Sequence, residues 1–275
     1  MRSTAYNINE QQAAEAFNKQ SSVFDAIYSP NVIIQYKRER VRRHVEKFLK
    51  RESKILELNA GTGEDAIYFA MKGHYVHATD IAEEMQNVLK QKVAEKNLQS
   101  RVTTEICSFN HLESLHQKGH YDLIFSNFAG LNCTGDLDKV LQSFSALLKQ
   151  NGLITLVIMP RFCLWEFLLF IRGNFKTAFR RFKSRNGVAA HIEGTYFTCW
   201  YYSSAFVERC LKNEFDVLSV EGLCTIVPPS YFENFPSKHP HLYEWLQKAE
   251  NKLKSTWPWK NTGDYFIITM RKKSN

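Results

Sequence analysis

The run Glu57-Leu-Asn59-Ala60-Gly61-Thr62-Gly63 gathers residue types that could hold a ligand. Glu57 sits in the short apolar run Ile55, Leu56, Leu58. A carboxylate there is costly unless it faces a ligand or a donor. Gly61 and Gly63 carry no Cβ, so backbone can approach a bound group and adopt positive φ. Asn59 is among the few other residue types that visit left-handed geometry. A second acid, Asp80, closes the next apolar run from Tyr75 to Thr79 and is followed by Ile81 and Met85. An acid at that tip can accept both hydroxyls of a ribose; its plainer role is to cap the helix that begins near Glu83.

These residues need elements to position them. Lys54–Leu58 reads as a buried parallel strand, and Glu64–Met71 as the first turns of a helix. Strand, glycine turn, helix is the nucleotide-binding start of a doubly wound α/β fold. Further strands are expected at 75–79, 102–106, 121–126 and 153–159, with helices at 83–96 and 136–149. The third strand runs into Cys107, Ser108 and Phe109; the fourth runs into Asn127 and Phe128. Ligands bind beyond the carboxyl ends of such strands. Before the sheet, a helix is expected over 10–28, a break at Ser29-Pro30-Asn31, and a second helix to about residue 50. Tyr36 and Arg40 are four apart there and share a face. The C-terminal part adds a helix from 204, a strand at 215–223, a helix at 241–255 and a last strand at 265–271.

With 275 residues, 44% of them hydrophobic, the chain suits one large domain or a core with an appended subdomain. No hydrophobic segment follows Met1-Arg2, so no signal peptide is expected, and no apolar run approaches a membrane span. Six cysteines are scattered without a Cys-x-x-Cys pair, which argues against zinc and disulfide frameworks. A reducing cytoplasm fits. The net charge of +8 permits nucleic acid or an anionic membrane as partner without requiring either. Much of that excess lies in 172–185. There Phe175, Ala178, Phe179 and Phe182 recur at helical spacing among Lys and Arg, as in a lid or a basic amphipathic helix on a membrane surface.

The acid-x-Asn-x-Gly-x-Gly pattern from Glu57 resembles motif I of class I S-adenosylmethionine (SAM) methyltransferases, with Asn59 in place of the first glycine. Asp80 resembles the acid of motif II, and Asp122 with Asn127 resembles motif IV. The resemblance covers nearly the whole chain. It implies a Rossmann-like seven-stranded sheet, mostly parallel with an antiparallel last strand, plus a helical and aromatic cap. The divisions expected are an N-terminal helical cover (1–50), a SAM-binding core (51–160), a substrate-cap insertion (161–202), and the C-terminal part of the core with a helical insertion (203–275). The resemblance assigns cofactor contacts to Tyr28, Tyr36, Arg40, Glu57, Asn59, Ala60, Gly61, Thr62, Gly63, Asp80, Ile81, Met85, Ser108, Phe109, Asn127 and Phe128. It leaves adenine recognition open, because the family's acid after the third strand falls here on Cys107 or Ser108.

The function implied is methyl transfer to a small apolar acceptor, aromatic or lipid-like, by in-line displacement. That reaction needs no metal. A phenol or amine acceptor would use a base, for which His191, Tyr201 and Tyr202 are the candidates, with Glu166 another. Competing readings are an RNA methyltransferase, a non-catalytic SAM-binding or membrane-surface protein, and an NAD-dependent oxidoreductase. The last rests on Gly61-x-Gly63-x-x-Ala66 with Asp80. Nucleic acid is not expected as a partner: Asn127-Phe128-Ala129 lacks the Asn/Asp-Pro-Pro-aromatic tetrad, and no RNA module is appended. Peripheral membrane contact through 162–185 is the secondary expectation, and the oligomeric state is open.

Overall fold

The computed structural model describes residues 8–116, 118–171, 181 and 186–274. Strands β1 (Lys54–Leu58), β2 (Tyr75–Asp80), β3 (Val102–Ile106), β4 (Tyr121–Ser126) and β5 (Leu148–Ile158) are joined by β8 (Phe215–Leu223) and β9 (Tyr265–Lys272) in one seven-stranded sheet. Its order is β3-β2-β1-β4-β5-β9-β8. β1 to β5 pair in parallel, and β9 runs antiparallel to both β5 and β8. The reversal of strand order beside β1 opens a crevice at its carboxyl end, where doubly wound sheets take their ligands.

Alternation along β1 fills both faces. Leu56 and Leu58 join one apolar layer with α5 (Leu137–Leu147) and α7 (Ser204–Leu211). Ile55 joins the other, with α2 (Val32–Glu46), α3 (Glu64–Met71) and α4 (Glu83–Glu95). Glu57 therefore shares the face of α2 and α3. The helix break falls where the sequence puts it: Asn31 caps α2, its side chain accepting the Ile33 and Ile34 N–H groups at 3.0 and 3.1 Å.

Two elements roof the crevice. α1 (Ile8–Tyr28) lays Ala13, Ala16 and Phe17 on a separate hairpin, β6 (Val188–Ile192) with β7 (Thr195–Cys199). Asn9 staples the contact: its Nδ2 donates to the Cys133 and Thr198 carbonyls at 2.9 and 3.1 Å, and its Oδ1 accepts the Thr198 N–H at 2.6 Å. On the opposite flank Asp25 accepts from Thr62 Oγ1 and Lys92 Nζ, both at 2.7 Å. The hairpin turn, Glu193-Gly194, is left-handed at both residues (φ 44° and 76°), the two-residue geometry that matches strand twist. α6 (Leu164–Ile171), before the hairpin, and α8 (Pro240–Leu253), after it, complete the C-terminal half. The Phe- and Arg-rich run expected at 172–185 lies outside the described residues except for Arg181. No described helix is long and apolar enough to cross a membrane.

Candidate active site

β1 delivers Glu57 to the centre of the sheet, beside Ala78 of β2 and Phe125 of β4. The chain then turns through three left-handed residues, Asn59 (φ 47°), Gly61 (55°) and Gly63 (79°). Asn59 keeps the turn that a glycine would make and braces it. Its Nδ2 donates to the Asn127 carbonyl at 2.9 Å and its Oδ1 accepts Ser126 Oγ at 2.6 Å. Gly63 is fixed for a second reason: a Cβ there would lie 1.9 Å from Leu89 Cδ1, so α3 could not sit against α4. Asp80 does not act as the helix cap. Ala82 holds that position, while Asp80 ties the loop by accepting the Gly61 and Ala82 N–H groups at 2.8 and 2.9 Å.

These loops enclose a cavity of about 380 Å³. Of the residues assigned from sequence, Tyr28, Glu57, Asn59, Ala60, Gly61, Thr62, Asp80, Ile81, Met85, Ser108, Phe109, Asn127 and Phe128 line it. Glu57 and Asp80 open onto this one space, between walls that include Phe17, Phe24, Phe109, Phe128 and Tyr265. Phe128 and Ala129 are consecutive left-handed residues (φ 48° and 61°), a strained turn that presents the Phe128 ring.

Several assignments are corrected by the geometry. Tyr36 and Arg40 do not line the cavity. Both are buried and point toward α8, where Glu250 Oε1 accepts the Tyr36 hydroxyl at 3.0 Å and Arg40 Nη1 at 3.1 Å. His191, Tyr201 and Tyr202 do not line it either. His191 is exposed on β6 against the Tyr196 ring, their centroids 4.5 Å apart. Tyr201 and Tyr202 border a separate depression with Trp200 and Phe206, and the Tyr202 hydroxyl donates to the Thr134 carbonyl at 2.5 Å. Glu166 is buried against Arg181 Nη2 at 2.6 Å, outside the cavity wall.

The cations of the site come from the same stretch of α2, between Tyr36 and Arg40. Lys37 and Arg38 line the cavity together with Glu10, Asp65, Ser230 and Tyr265, none of them singled out in the sequence. A signal existed: Ile33 and Ile34 are the buried face of α2, and i+4 puts Lys37 and Arg38 beneath them. Burial opposes the charge of Lys37, but the Asp264 carboxylate at 2.8 Å prevails and holds its ammonium above the ordinary value. Arg38 lies 5.1 Å over the Phe128 ring, and its buried Nε has no hydrogen-bond partner among the described residues. Glu57 Oε2 likewise has none. Burial first, and then the Asp65 carboxylate, push the Glu57 carboxyl well above the usual range.

A carboxylate oxygen and a guanidinium Nε without partners in one cavity, with Arg38 Nη1 paired to Glu64 Oε2 at 3.4 Å, suit a ligand end that carries both charges, as an amino acid does. An acid tied to the glycine loop and an aromatic ring beyond it suit a nucleoside. SAM joins these two ends, and the residues present fit it.

The comparisons agree. Residues 55–152 match the family model described as a methyltransferase domain. This span is a class I SAM-dependent methyltransferase domain. Among solved structures, the [4+2]-cyclase SpnF superposes with a TM-score of 0.63 at 15% identity, covering 97% of each chain. A SAM-dependent methyltransferase from Methanosarcina mazei gives 0.58 at 15% identity, covering 84% of this chain and 98% of its own. The 1,6-didemethyltoxoflavin-N1-methyltransferase of Burkholderia thailandensis, solved with its namesake compound and S-adenosylhomocysteine, gives 0.56 at 15% identity, covering 96% and 88%. At such identities the likeness is one of fold. No curated protein matches the chain. The matched span carries β1 to β4 and the start of β5, and the seven-stranded sheet with its reversed β9 agrees with the fold of these structures.

Proposed function

We propose that the protein moves the methyl group of SAM to a small apolar acceptor, aromatic or lipid-like, by in-line displacement. The observation that carries this reading is the cavity itself: charged groups such as Glu57, Asp80, Lys37 and Arg38 share it with walls that are largely aromatic and aliphatic. SAM, when bound, supplies a methyl group on an already activated sulfonium. The chain's part is to bind, orient and exclude water. Glu57 and Arg38 are suited to the amino-acid end, Asp80 to the ribose hydroxyls, and the Phe128 turn to the wall beside the reacting centre.

Lys37 and Tyr265 on this wall do not offer a ready base for a phenol or amine. Lys37 is held protonated by Asp264, and burial raises the Tyr265 hydroxyl to about 12. Proximity and desolvation are then the main catalytic means. The Burkholderia enzyme, named for a small heteroaromatic substrate, supports an acceptor of that class. A cyclase with the same fold makes transfer, rather than cofactor binding, the deciding measurement. Incubation with methyl-labelled SAM and cell extract, followed by mass identification of the labelled product, tests the reading. Label on an apolar small molecule is the expected result. Label on RNA, or binding of SAM without any transfer, would overturn it.

A further inference from the structure

Lys37 is 1% exposed, yet it forms part of the cavity wall with Ser230 and Tyr265. Its Nζ donates to Asp264 Oδ2 at 2.8 Å and to Ser230 Oγ at 3.1 Å, and lies 4.7 Å over the Tyr265 ring. An ammonium has three donors. The third meets no acceptor among the described residues. The wall runs from Arg38 over the Phe128 ring, to Phe128 edge-on to Tyr265 with centroids 6.4 Å apart, to Lys37 over Tyr265. Lys37 thus stands two rings beyond the guanidinium suited to the amino-acid end. Tyr265 opens β9, whose Phe266 pairs with Ile158, the last residue of β5. That is the ligand side of the sheet.

The titratable neighbours of Lys37 leave it charged. Asp264 is an anion that it shares with Arg181. Burial raises the Tyr265 hydroxyl to about 12 and the Cys224 thiol well above its ordinary value, so both stay neutral. Lys37 and Arg181 are matched by Asp264 and Glu166, which makes this cluster neutral in sum. It has a donor to offer, but no surplus charge with which to collect a permanent anion.

Resting on the methyl-transfer reading above, we propose that Lys37 holds the acceptor, donating its third N–H to a hydroxyl oxygen on an aromatic or enolic ring and favouring the ionised form of that oxygen. A hydrogen bond to the charged form makes the hydroxyl more acidic. On binding, the O–H bond breaks, the proton passes to water and the electron pair stays on oxygen. No protein base is then required, and neither Lys37 nor Tyr265 supplies one. A carboxylate or phosphate, charged before it binds, gains nothing from this ionisation and meets a cluster already balanced. A hydrocarbon acceptor would leave a buried donor unmatched.

The experiment uses the full chain saturated with sinefungin, whose amine supplies a positive charge in place of the sulfonium. Three probes of similar size are titrated: para-nitrophenol, para-nitrotoluene and para-nitrobenzoate. The wild type should bind nitrophenol about tenfold or more tighter than either of the others. The visible absorbance of the phenolate should show the bound probe ionising at lower pH than the free one. Lys37→Met should bring nitrophenol and nitrotoluene within about threefold and abolish that shift, while its affinity for sinefungin stays within about threefold of the wild type. Thermal melting checks folding. If Lys37→Met melts far below the wild type, Lys37→Arg, which keeps a cation for Asp264 but moves its donors, should show the same loss of ratio and shift. A wild type that prefers nitrobenzoate, binds nitrotoluene as well as nitrophenol, or binds none of the three overturns the proposal and leaves the methyl-transfer reading standing. So does a variant that loses sinefungin while its probe ratio is unchanged, which would place Lys37 at the cofactor or in the fold alone. A wild type that does not bind sinefungin removes the methyl-transfer reading as well.

Discussion

Glu57 is 3% exposed and held where its charge is disfavoured, which makes it a residue that serves binding at the expense of the empty fold. An acid whose folded pKa is raised holds its proton more tightly folded than unfolded. The stability this confers is full below the ordinary carboxylate range and is lost as pH rises through the raised value. Glu57→Gln, which removes the charge and keeps the shape, should therefore raise the ligand-free melting temperature at pH 8 by a few degrees, with the gain shrinking toward pH 5. The same variant should weaken SAM binding by roughly 10- to 100-fold, the worth of a charge-assisted hydrogen bond. Melting curves at the two pH values and a titration with SAM check both halves; a variant that melts lower at pH 8 would contradict the account. Residue types at strand ends were legible in the sequence because the acid, the glycines and Asn59 do unusual things for a core strand. Arg38 was not, because two residues along α2 separate the cation at the cavity from the Arg40 that grips Glu250.

At the scale of elements, the glycine turn decides how closely α3 lies against α4. Gly63→Ala combines a left-handed φ with a Cβ driven into Leu89, and should cost about 2–4 kcal/mol. Because Leu89→Ala opens the space that the new methyl needs, the double variant should lose less than the sum of the two, as measured by denaturant unfolding. Strictly additive losses would show that Leu89 is not the obstacle. The strands and helices of the core were readable from apolar runs and turns, close to their observed bounds. The β6–β7 hairpin was not, since its aromatic residues drew attention to chemistry. Its signals were the alternation of Val188, Ala190 and Ile192 with Thr195, Phe197 and Cys199 around Glu193-Gly194. The sequence also assigned the roof to 162–185. It also expected a helical cover in 1–50 and a cap extending to 202, and among the described residues α1 and Ile192 of β6 line the cavity.

At the scale of the molecule, the two halves are locked by buried charge as well as by the sheet. Glu250 of α8 is fully buried, and its Oε2 accepts the N–H groups of Thr225, Ile226 and Val227 at 2.8, 2.9 and 2.9 Å while its Oε1 takes Tyr36, Arg40 and the Cys224 N–H. One carboxylate thus joins α2, α8 and the loop after β8. Glu250→Ala takes from buried Arg40 one of its two carboxylates, leaving Glu221, and strips a row of amides of their acceptor, and should cost about 3–5 kcal/mol. Differential scanning calorimetry should show the melting point lower by roughly 10 °C, and an unchanged one would refute the role. A second knot joins Lys37, Asp264, Arg181 and Glu166, with Asp264 accepting Lys37 Nζ and Arg181 Nη2 at 2.8 Å each. Lys37 and Arg181 are balanced inside the protein by Asp264 and Glu166, so these two cations do not face a polyanionic partner. Sequence periodicity cannot show this, because the partners are separated by 227 and 83 residues.

The staple at Asn9 has a consequence for how the protein is born. Its partner Thr198 lies 189 residues downstream, so the Asn9 end of α1 lacks its staple until β7 has been made, whereas the Asp25 end can already meet Thr62 and Lys92. The central strands can assemble meanwhile around an open trough, and the nucleoside can settle there before the cover arrives. Pulse-labelled hydrogen exchange during refolding should find the amides of α1 protected last, and earlier when S-adenosylhomocysteine is present. In that order of events the ligand serves as a late part of the folding template.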